Sequence, residues 1–67
     1  MEIWLNGAPI TREAPPIALS DFLKEQKISP EGIAVAVNDS VIRKAEWPEY
    51  IIRDGDRIEI VYARQGG

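Results

Sequence analysis

The sequence predicts an α+β domain, a mixed sheet of four to five strands with one helix packed across one face. Three observations lead there. Period-two apolar patterns open and close the chain, at residues 1–5 and 57–62. One stretch, residues 19–27, carries helical spacing. The strand-like runs lie on both sides of that stretch, so the helix must cross a face of the sheet that the flanking strands share.

Taken in order, Met1, Ile3 and Leu5 alternate with Glu2, Trp4 and Asn6, the pattern of a strand with one buried face. Asn6-Gly7 follows, and both residue types tolerate the positive φ of a tight hairpin turn. Residues 9–13 form the returning strand, with Ile10 inward; Pro9 has no N–H for a ladder, so this strand belongs at an edge or begins there. Ala14-Pro15-Pro16 stops it. Leu19, Phe22 and Leu23 then keep the i, i+3, i+4 spacing of a buried helical stripe, while Asp21, Lys24 and Glu25 face water. The helix starts either from Ser20, chemically the better cap, or from Ala18, which gives the longer helix. Ser29-Pro30 forbids its continuation.

After a turn at Glu31-Gly32, residues 33–37 make a compact strand whose alanines let another element approach closely. Asn38-Asp39 turns the chain, residues 40–43 pair back, and residues 44–49 form a short irregular segment carrying Trp47. Residues 50–52 lead to Asp54-Gly55-Asp56 and the last strand, 57–62. Residues 63–67 contain nothing to hold them to a core, which makes them a tail on a domain of residues 1–62. Hairpin, helix, strand, short elements, strand is the order of the β-grasp arrangement, in which the first and last strands lie side by side.

Composition removes many functions. A chain of 67 residues is one small domain with a thin core. It has no Cys, hence no disulfide, thiolate zinc site or nucleophilic thiol, and no His, hence neither the commonest general base nor the commonest nitrogen ligand. Eight Lys+Arg against eleven Asp+Glu give a net charge of −3, and the longest basic run is Arg43-Lys44, which argues against nucleic acid. No apolar run approaches the ~20 residues of a membrane span. The acidic, strand-like start Met1-Glu2-Ile3-Trp4 is unlike a signal peptide. The expectation is a cytoplasmic protein, monomeric when free, with no bound cofactor or metal and no nucleic-acid or membrane partner.

Asp54-Gly55-Asp56 lacks the further oxygen ligands of a calcium loop and reads as a turn with Gly55 at positive φ. Trp47 reads as core or as a lid over the sheet end, with a binding residue as the alternative, and Arg43 as a surface residue with a local hydrogen bond to the 44–49 segment left open. With Ile3 and Leu5 inward, Trp4 faces out, and so do Glu59 and Val61 on the last strand. Side-by-side strands then predict one apolar patch of Trp4 and Val61, with Glu59 beside it, of the composition of a docking hot spot; the alternative is a structural Trp. Gly66-Gly67 is either a frayed end or a side-chain-free tail whose α-carboxylate enters a narrow active site. With a carboxyl pKa of ~3.3–3.7 that group is ionised at neutral pH and can attack the α-phosphorus of a nucleotide.

Val35-Ala36-Val37-Asn38 before a turn, Val41-Ile42-Arg43 with Trp47 after it, Asp54-Gly55-Asp56-Arg57-Ile58-Glu59-Ile60, and Gly66-Gly67 together resemble the ThiS family, the small ubiquitin-like sulfur carriers of thiamin thiazole synthesis. The likeness runs from Asn6-Gly7 to the end of the chain. The Asp-Gly-Asp turn and di-glycine end are shared with a wider group that includes the molybdopterin-synthase carriers, whereas the Arg43-to-Trp47 spacing is similar to the thiazole branch. Pro15-Pro16, and Ala18 where the family tends to have a Thr or Ser cap, depart from the pattern and touch stability more than chemistry.

The resemblance implies a protein co-substrate rather than an enzyme. An activating adenylyltransferase (ThiF- or MoeB-like) uses ATP to adenylate the Gly67 carboxylate. A persulfide donor, a cysteine desulfurase or rhodanese-like protein, displaces AMP to leave a thiocarboxylate, and thiazole synthase takes the sulfur. Gly66 gives access to the active site, and Arg64 adds an electrostatic contact as the tail enters. The same chemistry serves carriers for molybdopterin or tRNA thiolation and ubiquitin-like modifiers. A non-catalytic β-grasp interaction module is the reading from another class.

Overall fold

The computed structural model describes residues 1–62. Among these the chain forms β1 (Glu2–Leu5), β2 (Ala8–Thr11), β3 (Ile17–Ala18), α1 (Leu19–Glu25), β4 (Ile33–Val37), β5 (Ser40–Ile42), a 3-10 turn (Lys44–Glu46), β6 (Ile51–Ile52) and β7 (Arg57–Tyr62). The main sheet runs β2-β1-β7-β4-β5; β1 and β7 pair in parallel, and the other neighbours are antiparallel. With α1 against one face, this is the β-grasp arrangement. The tail expected at residues 63–67, with Arg64, Gly66 and Gly67, lies outside the described residues.

Strand alternation builds the core. Ile3 of β1, Val35 and Val37 of β4, and Ile58 and Ile60 of β7 turn to the face that Leu19, Phe22 and Leu23 of α1 cover, and Trp47 and Ile52 complete the cluster. Each fully buried aliphatic or aromatic side chain contributes ~1.5–3 kcal/mol relative to exposure. Trp47 is core, the first of its sequence readings, and its indole Nε1–H donates to the Ile42 carbonyl at 2.8 Å. Arg43 anchors the following turn through its backbone, its carbonyl accepting from the Glu46 N–H at 2.8 Å.

The helix begins at Leu19 from Ala18, which has no side chain to cap it. Backbone does the capping instead: the Leu19 N–H donates to the Tyr50 carbonyl at 2.7 Å and the Ser20 N–H to the Trp47 carbonyl at 3.2 Å. What brings that segment to the helix end is the short β3–β6 pair, Ile17 opposite Ile52 and Ala18 opposite Ile51. At the other end the Ile28 N–H reaches the Leu23 carbonyl at 2.9 Å and the Lys27 N–H the Lys24 carbonyl at 3.0 Å. This is a Schellman ending, with Lys27 at φ +59 where glycine is usual.

Candidate functional site

The site lies on the face of the sheet opposite α1. There β7 presents Arg57, Glu59 and Val61, β4 presents Ala34 and Ala36, and β5 presents Val41. The register sets Val61 opposite Ala34, and Glu59 opposite Ala36, which in turn faces Val41. Alanine ends at Cβ, so between the taller Val41 and Val61 the surface sinks into an open depression of about 340 Å³, with Asn6 and Glu59 also on its lining. Val41 is 72% exposed and Val61 63%. The close approach that the small strand residues permit is taken up by no described element of this chain, and the apolar floor stays open.

Trp4 faces outward too, half-buried, but in another place. It lies level with Pro9 on β2 and with Arg57 on β7. Val61 is four residues farther along β7, about 13 Å at ~3.3 Å per residue. The single Trp4–Val61 patch expected from neighbouring strands is therefore corrected to two: Val61 with Val41 over the alanines, and Trp4 with Pro9 beside Arg57. Glu59 belongs to the first. Neighbouring strands were foreseen, but the parallel register between them is set by residues that lie outside both strands and bond to them.

Those contacts come from the Asp54-Gly55-Asp56 turn. The Glu2 N–H donates to Asp54 Oδ1 at 2.7 Å, the Gly55 N–H to the Glu2 carbonyl at 2.7 Å, and the Trp4 N–H to the Asp56 carbonyl at 3.0 Å. Asp56 accepts from the Arg53 N–H at 2.9 Å and from Asn38 Nδ2 at 3.0 Å. Gly55 has φ +88, so the turn reading stands, and its carboxylates hold the start of β1 and the β4–β5 turn. Asn6 continues the zipper: its N–H donates to the Ile58 carbonyl at 2.8 Å, and its Oδ1 accepts the Ile60 N–H at 2.8 Å. Asn6 enters the sequence reading only as a turn residue; its second role depends on β7 lying alongside.

Charge near the depression is sparse. Glu59 lines it, and Arg57 pairs with Asp39 at 3.1 Å in an exposed bridge of small energetic worth. The strongest ion pair lies on the helix side, where Arg12 Nε and Nη2 meet Glu25 Oε1 and Oε2 at 2.9 and 2.6 Å. Those hydrogen bonds, and then the charge attraction, hold the Glu25 carboxyl below its ordinary range and raise the Arg12 guanidinium. Among the described residues no group of three or more acidic side chains is arranged to hold a metal ion, and no helix is long and apolar enough to cross a membrane.

Val41, Ala34 and Ala36 line the depression without being among the candidates read from the sequence, although alternation from inward Val35, Val37 and Ile42 marks all three as outward. Arg64, Gly66 and Gly67 lie beyond β7 and outside the described residues.

Comparison with known proteins follows the same outline. A family model described as ThiS family matches residues 3–67. The sulfur carrier protein ThiS of Thermus thermophilus is 37% identical over 65 residues, covering 97% of this chain and 98% of that protein. The crystal structure of a thiamine biosynthesis protein (ThiS) from Geobacter metallireducens matches with a TM-score of 0.91 at 28% identity, over 100% of both chains. A solution structure of a thiamine biosynthesis protein from that organism matches at 0.79 and 28% identity, over 100% of this chain and 88% of the other.

Proposed function

Since this chain belongs to the ThiS family, we propose that it carries sulfur for thiamin thiazole synthesis on the α-carboxylate of Gly67. It is a small carrier acted on by other proteins rather than a catalyst. A carboxylate oxygen of Gly67 attacks the α-phosphorus of ATP in an activating adenylyltransferase, and pyrophosphate leaves. The acyl-adenylate makes AMP the leaving group in place of oxide. A persulfide sulfur from a donor protein then attacks the acyl carbon and expels AMP. A thiol cleaves the S–S bond of the acyl disulfide, becoming oxidised to a disulfide itself, and the Gly67 thiocarboxylate remains for thiazole synthase. ATP is bound by the activating partner, and the work is cytoplasmic.

The observation that carries this reading is the family match running through residue 67, and so through Gly66-Gly67. Glycine has no Cβ to clash in a narrow active-site channel. With no Cys in the chain, no side chain competes as the sulfur-bearing group. The depression at Val41 and Val61, rimmed by Glu59, provides docking, with Trp4 a separate contact and Arg64 an electrostatic one.

The test uses the absence of thiols. The chain is incubated with ATP, an activating enzyme and a persulfide donor, alkylated, and weighed intact. An ATP-dependent alkyl adduct mapping to Gly67 is the expected result. Adenylation without an adduct, under a donor active on another carrier, points to a ubiquitin-like modifier. No reaction with any activating enzyme refutes the carrier and leaves an interaction module.

A further inference from the structure

The hydrogen-bonding edge of β7 changes neighbour along its length. Odd-numbered residues turn their backbone groups to β4, as the bond from the Asn38 N–H to the Arg57 carbonyl shows. Even-numbered residues turn theirs to β1, where the Asn6 N–H meets the Ile58 carbonyl and Asn6 Oδ1 accepts the Ile60 N–H. But β1 ends at Leu5, and Asn6-Gly7 carries the chain away into β2. Among the described residues the Asn6 side chain is the last group on that side. Past it, the Ile60 carbonyl and the Tyr62 N–H face no strand among the described residues.

Other edges are guarded. Pro9, in the outer strand β2, has no N–H to offer, and β5 is three residues long. Among the described residues the end of β7 has no such guard. It adjoins the depression at Val61, and Tyr62 is 64% exposed.

We infer that this open edge receives an extended strand of the enzyme that acts on the tail, paired through the Ile60 carbonyl and the Tyr62 N–H. The strand takes the place β1 would fill if it were longer. The inference rests on Gly67 being the reactive residue, and reach then identifies the occupant. Five residues follow Tyr62, which at ~3.3–3.6 Å per residue puts Gly67 within about 18 Å of the end of β7. An enzyme that encloses Gly67 must therefore press its surface against residues 60–62. That surface strips water from an unpaired carbonyl and N–H, a penalty unless it returns both an acceptor and a donor. An extended backbone supplies the two at strand spacing, which is strand addition to a sheet edge.

Tyr62→Pro isolates the contact. Among the described residues it deletes the one N–H that points to the open edge, while the bonds to β4 belong to Val61; Tyr62→Ala keeps the N–H and removes the side chain. Adenylation by an activating enzyme is followed as pyrophosphate exchange, beside thermal melts and hydrogen exchange of the wild-type Tyr62 amide with and without the enzyme. The expected result is kcat/KM about ten-fold lower for Tyr62→Pro than for Tyr62→Ala, with the wild-type Tyr62 amide protected in the complex. If the proline variant melts lower, the wild-type exchange measurement decides alone. Equal kcat/KM for the two variants at equal stability, or an amide that exchanges equally in the complex, overturns the inference and leaves the carrier standing. A wild-type chain that no activating enzyme adenylates removes the carrier reading, and this inference with it.

Discussion

Replacing Lys27 by glycine should make the protein more stable, although the substitution deletes a side chain and adds no contact. Lys27 holds φ +59 at the point where α1 ends, fixed there by its own N–H on Lys24 and the Ile28 N–H on Leu23. The left-handed conformation costs an L-residue ~1–2 kcal/mol. Glycine escapes that cost but loses ~0.5–1 kcal/mol through its greater freedom in the unfolded chain. Removing a cation from a helix C-terminus loses a further ~0.3 kcal/mol. Lys27 is exposed and forms no ion pair among the described residues. The net gain is about 0.5 kcal/mol, which for a domain of this size raises Tm by about 2–4 °C. Far-UV circular dichroism melts of wild type, Lys27→Gly and Lys27→Ala measure it. Alanine keeps the backbone penalty and loses the charge, so it should melt slightly below wild type. A glycine variant no more stable than wild type, or an alanine variant that rises with it, refutes the reasoning.

Trp47→Phe removes the indole bond to the Ile42 carbonyl and leaves a void in the core, so urea denaturation should show a loss of about 1–3 kcal/mol. The Glu25 carboxyl, held below its ordinary value near 4.5 chiefly by the Arg12 hydrogen bond, has a lower pKa folded than unfolded. Its stabilisation is therefore complete above the ordinary value and lost as pH falls through the folded one. Wild type should lose more stability than Glu25→Gln between about pH 6 and pH 3, read as the shift in urea midpoint. Val41→Asp sets a charge in the depression beside Glu59; the melting point should hold within the ~0.5 kcal/mol usual for surface changes, while affinity for an activating enzyme, measured calorimetrically, falls about ten-fold.

Most of the architecture was legible because it is local. Alternation marks β1 and β7, a compact apolar run marks β4, Asn6-Gly7 and Asn38-Asp39 mark two-residue turns, and the stripe of Leu19, Phe22 and Leu23 marks the helix. The β3–β6 pair was not legible. Two residues after Pro15-Pro16 carry no period, and they become a strand only because Ile51 and Ile52 arrive from the far end of the chain. That pair also explains how Ala18 serves as a cap, since the carbonyls that replace a Ser or Thr side chain come from Trp47 and Tyr50. The site divides in the same way. The outward positions of Glu59 and Val61 follow from alternation, but which residues they meet depends on register. The β1–β7 register is set by Asp54, Asp56 and Asn6, which reach across more than fifty positions.

That reach has a consequence for how the protein is made. β7 lies between β1 and β4, so the sheet has a gap at its middle until the last strand arrives. A chain emerging amino-terminus first can form the β1–β2 hairpin and α1 early, yet neither has its main partner. Contacts separated by 52 and 54 residues close late because the intervening loop must first be ordered. Translation interrupted before residue 57 therefore yields a chain with Phe22, Val35 and Val37 uncovered, a substrate for proteolysis rather than a half-finished protein. The depression comes into existence only when β7 brings Val61 beside Ala34, so under the docking role proposed for it a truncated product has no face with which to compete for a partner of the complete one.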